Sequence, residues 1–338
     1  MQPRVSLASW QQNHSRLTLL RSLSSVPTTI SPLRSVYPSK WADAGSLRQG
    51  LFSSSSEQAR ETKPPRRTCR VYHVTDGVVP YEEAWLCQQR LLHERLAWQR
   101  KEPLPSPGHD VLLLLEHPSV YTLGRGSTLD NLKFDPSDPA CQHEVRRTER
   151  GGEVTWHGPG QLVGYPVLDL TYHKKDLHWY LRQLEEVIIR VLARHNLEGE
   201  RESDQTGVWV GGAKVAAIGL NATRWITSHG FALNVSPNMA EFEEIVPCGI
   251  QGRPVTRLLD LLSPGSLENG DNRVTARLIR SQVVEEFANV FGVEVETKSI
   301  TAETGGLEKE LFPLEGDTTL LERLKQDCMR QLELTRRR

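Results

Sequence analysis

No Cys-x-x-Cys pair occurs in the 338 residues, and the five cysteines, Cys69, Cys87, Cys141, Cys248 and Cys328, are scattered. That spacing excludes a cysteine-based zinc site and a dense disulfide framework. The odd count suits a reducing compartment. No apolar run reaches the length a membrane-crossing helix needs, so no integral membrane segment is expected. The net charge of -1 leaves no broad basic face, and nucleic acid is not an expected partner. A Gly-Lys-Ser/Thr ending is missing from every glycine-rich stretch, which excludes a P-loop. What remains is ordinary soluble composition, 38% hydrophobic and 25% charged, in a chain long enough for one large domain or two modest ones.

The first 42 residues lack Asp and Glu altogether, yet contain Arg4, Arg16, Arg21, Arg34 and Lys40 among many serines. An Arg-rich, Ser-rich, acid-poor leader is the composition of an organelle-targeting presequence. Residues 1–60 are read as such a presequence, with the mitochondrion the preferred destination, and are set apart from the fold.

The folded body begins near Arg70. "RVYHVTDGVV" alternates with period two and reads as a strand. Pro80 opens a helix whose Tyr81, Ala84, Trp85, Gln88, Leu92 and Leu96 share a face. "VLLLLEHP" reads as a buried strand, "VYTLGRG" as another, and the interval to Thr148 as loop. A second helix runs from an Asp176 N-cap to about Asn196, with Leu177, Tyr180, Leu181, Leu184, Ile188, Val191 and Leu192 buried. "TGVWVGGAKVAAIGL" reads as a hairpin around Gly211-Gly212, and Arg224 to Val235 as the next strand. A last clear helix spans 276–291, followed by a strand at "VEVE". Strands in runs with interspersed helices predict an α/β (α+β) fold, a mixed sheet with packed helices. Residues 70–299 are taken as the catalytic domain. Residues 300–338, with a loop-like "GGLEKELFPLEGD" and one short helix, are taken as a C-terminal extension.

Four segments are richer in glycine and polar residues than a plain sheet requires. They are "RGGEVTWHGPGQLVGYP" at 150–166, "KVAAIG" at 214–219, "HGFALNV" at 229–235 and "PCGI" at 247–250. Taken singly each has an ordinary reading: a glycine-rich connection, a solvated lysine, a bulged strand, a small buried thiol. Together and in this order they resemble the lipoyl(octanoyl) transferase family over roughly residues 70–295. The family implies a fold shared with lipoate and biotin protein ligases. It also implies transfer of an octanoyl group from octanoyl-acyl carrier protein to a lysine of lipoyl domains, without metal or cofactor. The implied acceptors are lipoyl domains of 2-oxoacid dehydrogenase complexes and the H protein of glycine cleavage.

The resemblance places the acyl-accepting nucleophile on Cys248 and its supporting lysine on Lys214. It places the substrate wall on Arg150, Gly151, Gly152, Glu153, Val154, Thr155, Trp156 and His157, then on Ala217, Ile218 and Gly219, and on Gly230, Phe231 and Ala232. His157 is expected near the site, and His229 is left open. A free thiol is only a few per cent thiolate at neutral pH, and a nearby ammonium favours the thiolate. Two alternatives stand beside this reading. One is an ATP-dependent lipoate or biotin ligase, where the same lysine serves an acyl-adenylate and no nucleophilic cysteine is needed. The other is a non-catalytic scaffold that binds carrier protein.

Overall fold

The computed structural model describes residues 67–100, 109–203, 205–246, 254–262, 272–302, 306–312, 320 and 322–326. All belong to the unit Thr62–Arg338. The presequence at 1–60, Cys248 and Cys328 lie outside the described residues.

Strands β1 (Thr68–Asp76), β2 (Asp110–Leu115), β6 (Gln161–Val167), β7 (Val208–Val210), β8 (Ala213–Thr223), β9 (Ile226–Asn234) and β10 (Glu294–Thr301) form a seven-stranded sheet in the order β10-β1-β2-β6-β9-β8-β7. β1 runs parallel to both β10 and β2, and the remaining pairs are antiparallel. A smaller sheet carries β4 (Val145–Arg147), β3 (Val120–Leu123) and β5 (Val154–His157), with β3 in the middle.

The unbroken apolar run of β2 has a direct cause. Leu112 and Leu114 enter one core, with helices α2 (Leu177–Ala193) and α4 (Asn272–Phe291). Val111, Leu113 and Leu115 enter the opposite core, under helix α1 (Tyr81–Gln99). A strand covered on both faces cannot alternate. The helix starts follow local chemistry. Pro80 precedes α1, where a missing N–H costs nothing. The Asp176 carboxylate accepts the Trp179 N–H at 3.0 Å at the head of α2.

Several expectations need correction. Leu177 is 38% exposed in the first turn of α2, where burial begins only at Tyr180, and Leu181 is only partly buried. β4 lies in what reads as loop, since three residues with two arginines leave no apolar pattern. "GGLEKEL" contains a short helix, α5 (Gly306–Leu311), whose Leu307 is buried in the α1 core. Beyond it, Leu324 is buried against Tyr81, Trp85 and Val120. Cys69 and Cys87 are buried, and burial pushes both thiols well up from the ordinary range. Cys141 is half-exposed.

Two tight turns shape the β7-β8-β9 meander. Gly211 and Gly212 take φ of +56° and +78° between β7 and β8, as a two-residue hairpin turn requires. Arg224 and Trp225 do the same between β8 and β9 at +51° and +72°, without glycine. The Trp225 carbonyl is held by the Leu170 N–H at 2.8 Å.

Candidate active site

β5, β6, β8 and β9 converge on a cavity whose empty volume, including the part open to solvent, is about 810 Å³. That lies in the range of small-molecule sites. Its long wall is the β8-β9 pair. Ala217 faces Ala232, Ile218 faces Phe231 and Gly219 faces Gly230 across the ladder, so two triplets distant in sequence form one strip of small and apolar residues. All six line the cavity.

Gly230 is required by close approach. A Cβ there would stand 2.3 Å from the Gly164 carbonyl oxygen and 2.5 Å from Pro166 Cδ. Backbone cannot yield as a flexible side chain does. We expect Gly230→Ala to destabilise the protein by about 3 kcal/mol or more, at the upper end of overpacking effects. A urea unfolding midpoint equal to that of the wild type would refute this.

The same place explains His229. β6 and β9 pair from Gln161↔Asn234 to Gly164↔Phe231. Two residues further this register would set Pro166, which has no N–H, opposite His229. The ladder stops, and His229 adopts a φ of +59°, a costly conformation for a non-glycine residue. Its N–H goes instead to Gln88 Oε1 of α1, at 2.7 Å. The histidine thereby faces the cavity at 2% exposure.

Lys214 enters from β8, 6% exposed, with Nζ 4.7 Å from the centre of the Trp209 ring. Its backbone holds the chain at 254–256. Lys214 N–H donates to Pro254 O, and Thr256 N–H donates to Lys214 O, both at 2.9 Å.

A directed chain of hydrogen bonds crosses the site. Arg150 Nη2 donates to Thr122 Oγ1 at 2.9 Å, and the Thr122 hydroxyl lies 3.3 Å from His157 Nε2. His157 Nδ1 lies 2.7 Å from Gln161 Oε1. The Gln161 amide donates to Asn234 Oδ1 at 2.9 Å, and the Asn234 amide to Thr256 O at 3.0 Å. An amide oxygen only accepts, so His157 carries its proton on Nδ1 and accepts from Thr122 at Nε2. Burial, with smaller effects from His117 and Arg150, holds His157 well below the ordinary histidine range. His117 beside it is pushed down to about 4 by burial, against the Val79 carbonyl. Its Nδ1 donates to that carbonyl at 2.7 Å, so its Nε2 accepts from the Tyr165 hydroxyl at 2.8 Å. Both rings are neutral at neutral pH.

Of the wall residues expected from the sequence, Arg150, Gly152, Glu153, Val154, Thr155 and His157 line the cavity with the six of β8 and β9. Gly151 and Trp156 do not. Gly151 instead ties its loop to β8 through the Leu220 carbonyl at 2.9 Å. Trp156 points to the other face of its strand, into a small core with Tyr121 and Ile245, its Nε1 donating to Ser119. Gln161 stood inside a glycine-rich motif. Tyr165 and Asn234, likewise inside the motifs at 150–166 and 229–235, also line the cavity, as do Tyr81 and Thr206, which lie in none of the four. Cys248 is outside the described residues, but both flanks of its segment are described. Phe242 and Val255 line the cavity, and Val246 N–H is fixed to Asn131 O at 2.8 Å.

Residues 80–288 match the lipoyl protein ligase A/B catalytic domain family. A protein of Nostoc sp. strain PCC 7120 named octanoyltransferase is 52% identical over 236 residues, covering 70% of this chain and 98% of that protein. The octanoyltransferase of Synechococcus elongatus is 50% identical over 244 residues, covering 72% and 96%. The chain belongs to the octanoyltransferase family. Solved lipoate protein ligases share the fold of this chain. Lipoate-protein ligase A bound with ATP superposes with a TM-score of 0.51 at 12% identity, over 76% of this chain and 99% of that one. A bipartite lipoate protein ligase from Thermoplasma acidophilum gives 0.50 at 12% identity, over 74% and 92%. The fold is therefore the mixed-sheet ligase-like fold expected from the sequence. Among the described residues, no helix of the chain is long and apolar enough to cross a membrane.

Proposed function

We propose that the chain transfers an octanoyl group from octanoyl-acyl carrier protein to a lysine of lipoyl domains through a thioester on Cys248. It is an acyltransferase. The observation that carries the detail is the meeting in one cavity of buried Lys214, the paired strip of β8 and β9, and both flanks of the Cys248 segment. The strip suits a saturated chain, since each methylene removed from water contributes about 0.8 kcal/mol. The roles given to Cys248 and Lys214 belong to this proposal, as does the wall of residues around them.

The chemistry proceeds in two halves. The Cys248 thiolate attacks the donor thioester, and the carrier departs as its thiolate. The free amine of the target lysine then attacks the octanoyl-Cys248 carbonyl, and the Cys248 sulfur leaves. Thioester to thioester is near balance and thioester to amide is downhill, so no ATP is needed. Lys214 favours the thiolate by its charge. The Arg150-to-Thr256 hydrogen-bond chain fixes the segment 254–256, which follows the cysteine segment, against Lys214. The H protein of glycine cleavage and the 2-oxoacid dehydrogenases are the proposed sources of the lipoyl domain.

An organelle address is part of the proposal. The Arg- and Ser-bearing leader, whose first 42 residues hold no acid, supports import, with the mitochondrion as the destination first suggested by composition. The cyanobacterial relatives favour a second reading, the plastid. A fluorescent fusion of residues 1–66 distinguishes the two.

The function is tested by intact mass spectrometry after mixing the protein with octanoyl-acyl carrier protein without ATP. One octanoyl adduct that hydroxylamine removes, and that a lipoyl domain then takes up, is the expected result. Acylation of the lipoyl domain only when ATP and free octanoate are supplied would replace the reading with the ligase. No acylation under either condition would leave the scaffold.

A further inference from the structure

Aminolysis of the acyl-enzyme leaves one proton over. At neutral pH the target lysine arrives as an ammonium. The C–S bond of octanoyl-Cys248 breaks and the C–N bond forms, while the nitrogen sheds two protons. One restores the Cys248 thiol, and the other must leave a cavity lined largely by apolar groups.

We infer that His229, backed by Glu149, accepts this proton at the cavity wall and passes it to a second cavity open to solvent. The inference rests on the acyl-transfer reading. His229 lines the inner cavity, with Lys214 and Arg150. Glu149 lines the outer one, beside Trp85, Gln89, His93 and Arg125. His229 Nε2 and Glu149 Oε1 are 3.3 Å apart, so the two side chains together span the wall between the cavities. Nε2 is fully buried and has no aligned hydrogen-bond partner among the described residues, with the Glu149 carboxylate 3.3 Å away.

Glu149 is held in place for this contact. Gln89 Nε2 donates to its Oε1 at 2.6 Å, and Trp85 Nε1 donates to both oxygens at 3.1 and 3.2 Å. Burial works to raise its pKa, but His229 and the donors outweigh burial and hold the carboxyl at about 2. Glu149 is thus an anion throughout the working range, the partner an imidazolium needs while it carries a proton. The other elements packed on His229 bring Gln88 from α1, the Tyr165 ring from β6 at 6.3 Å between centres, and His157 from β5. Burial keeps Tyr165 and His157 neutral. The break in the β6-β9 ladder at Pro166 gives His229 its orientation, so the backbone is bent to put an imidazole at this place.

The test uses the full chain with Glu149→Gln and His229→Asn. Glutamine keeps the shape of Glu149, and asparagine tolerates the positive φ of His229. Each protein is charged with octanoyl-acyl carrier protein, freed of donor, and mixed with a lipoyl domain in a single turnover across pH. Glu149→Gln is expected to acylate within about twofold of the wild type, and both variants are expected to lose about tenfold to a hundredfold in aminolysis. Their aminolysis rate should climb with pH where the wild type levels off, and added imidazole should restore part of it in His229→Asn. Aminolysis at the wild-type rate and pH profile overturns the inference. So does an equal loss in both halves with an unchanged profile, which marks a merely structural pair. A wild type that forms no acyl-enzyme sinks the transfer reading itself, and the relay with it.

Discussion

Cys248→Ser is expected to reduce octanoyl transfer at least about a thousandfold and to abolish the hydroxylamine-labile adduct. The size follows from the nucleophile. A thiol is a few per cent ionised at neutral pH before any help, whereas a serine hydroxyl is essentially unionised and needs a dedicated base. Two neutral histidines at this end of the site are spoken for, His157 in the cavity wall by Gln161 and Thr122, and His117 beside it by Val79 and Tyr165. Neither is placed to activate a new hydroxyl. Loss of a nucleophile commonly costs as much as loss of the whole catalytic group. The measurement is single-turnover transfer to a lipoyl domain, followed by mass spectrometry. Transfer within tenfold of the wild type would show that the acyl group moves directly between donor and lysine, or through a different residue.

Cys248 itself was legible only through its neighbours in sequence and the family they resemble. The fold was legible where burial is periodic or total: β2, α2 and the β7-β8 turn at Gly211-Gly212. It was hidden where the deciding contact is remote. The β8-β9 turn falls on Arg224-Trp225, residues with no preference for positive φ, so the strand was started too early. Locating that turn would have set Ala217 opposite Ala232 and shown the two triplets as one wall. Trp156 was misassigned because a motif names consecutive residues while a strand sends alternate ones to opposite faces. Glu149 carried no signal, since its partners Trp85 and Gln89 come from a helix some sixty residues earlier. The kink at His229 depends on a proline in another strand, a pairing that one sequence does not reveal.

Lys214→Met is expected to lower transfer by about a hundredfold to ten-thousandfold with little change in stability. Methionine has nearly the length of the lysine stem and fills irregular space well. Burying an ammonium is costly, so losing the charge offsets the contact with the Trp209 ring, itself of order 1 kcal/mol. Unfolding should stay within about 2 kcal/mol of the wild type, which separates a chemical role from a structural one. Two charge effects remain, and alkylation of Cys248 tells them apart. If the ammonium favours the thiolate, the midpoint of alkylation against pH moves up towards about 8.5, the value of a free thiol, when Lys214 is removed. If Lys214 acts only as a proton donor and acceptor during aminolysis, that midpoint stays while the second half-reaction slows. A variant with wild-type transfer would remove Lys214 from the chemistry. The cavity strip, the anchored segment 254–256 and the His229–Glu149 pair would then have to support the reaction without it.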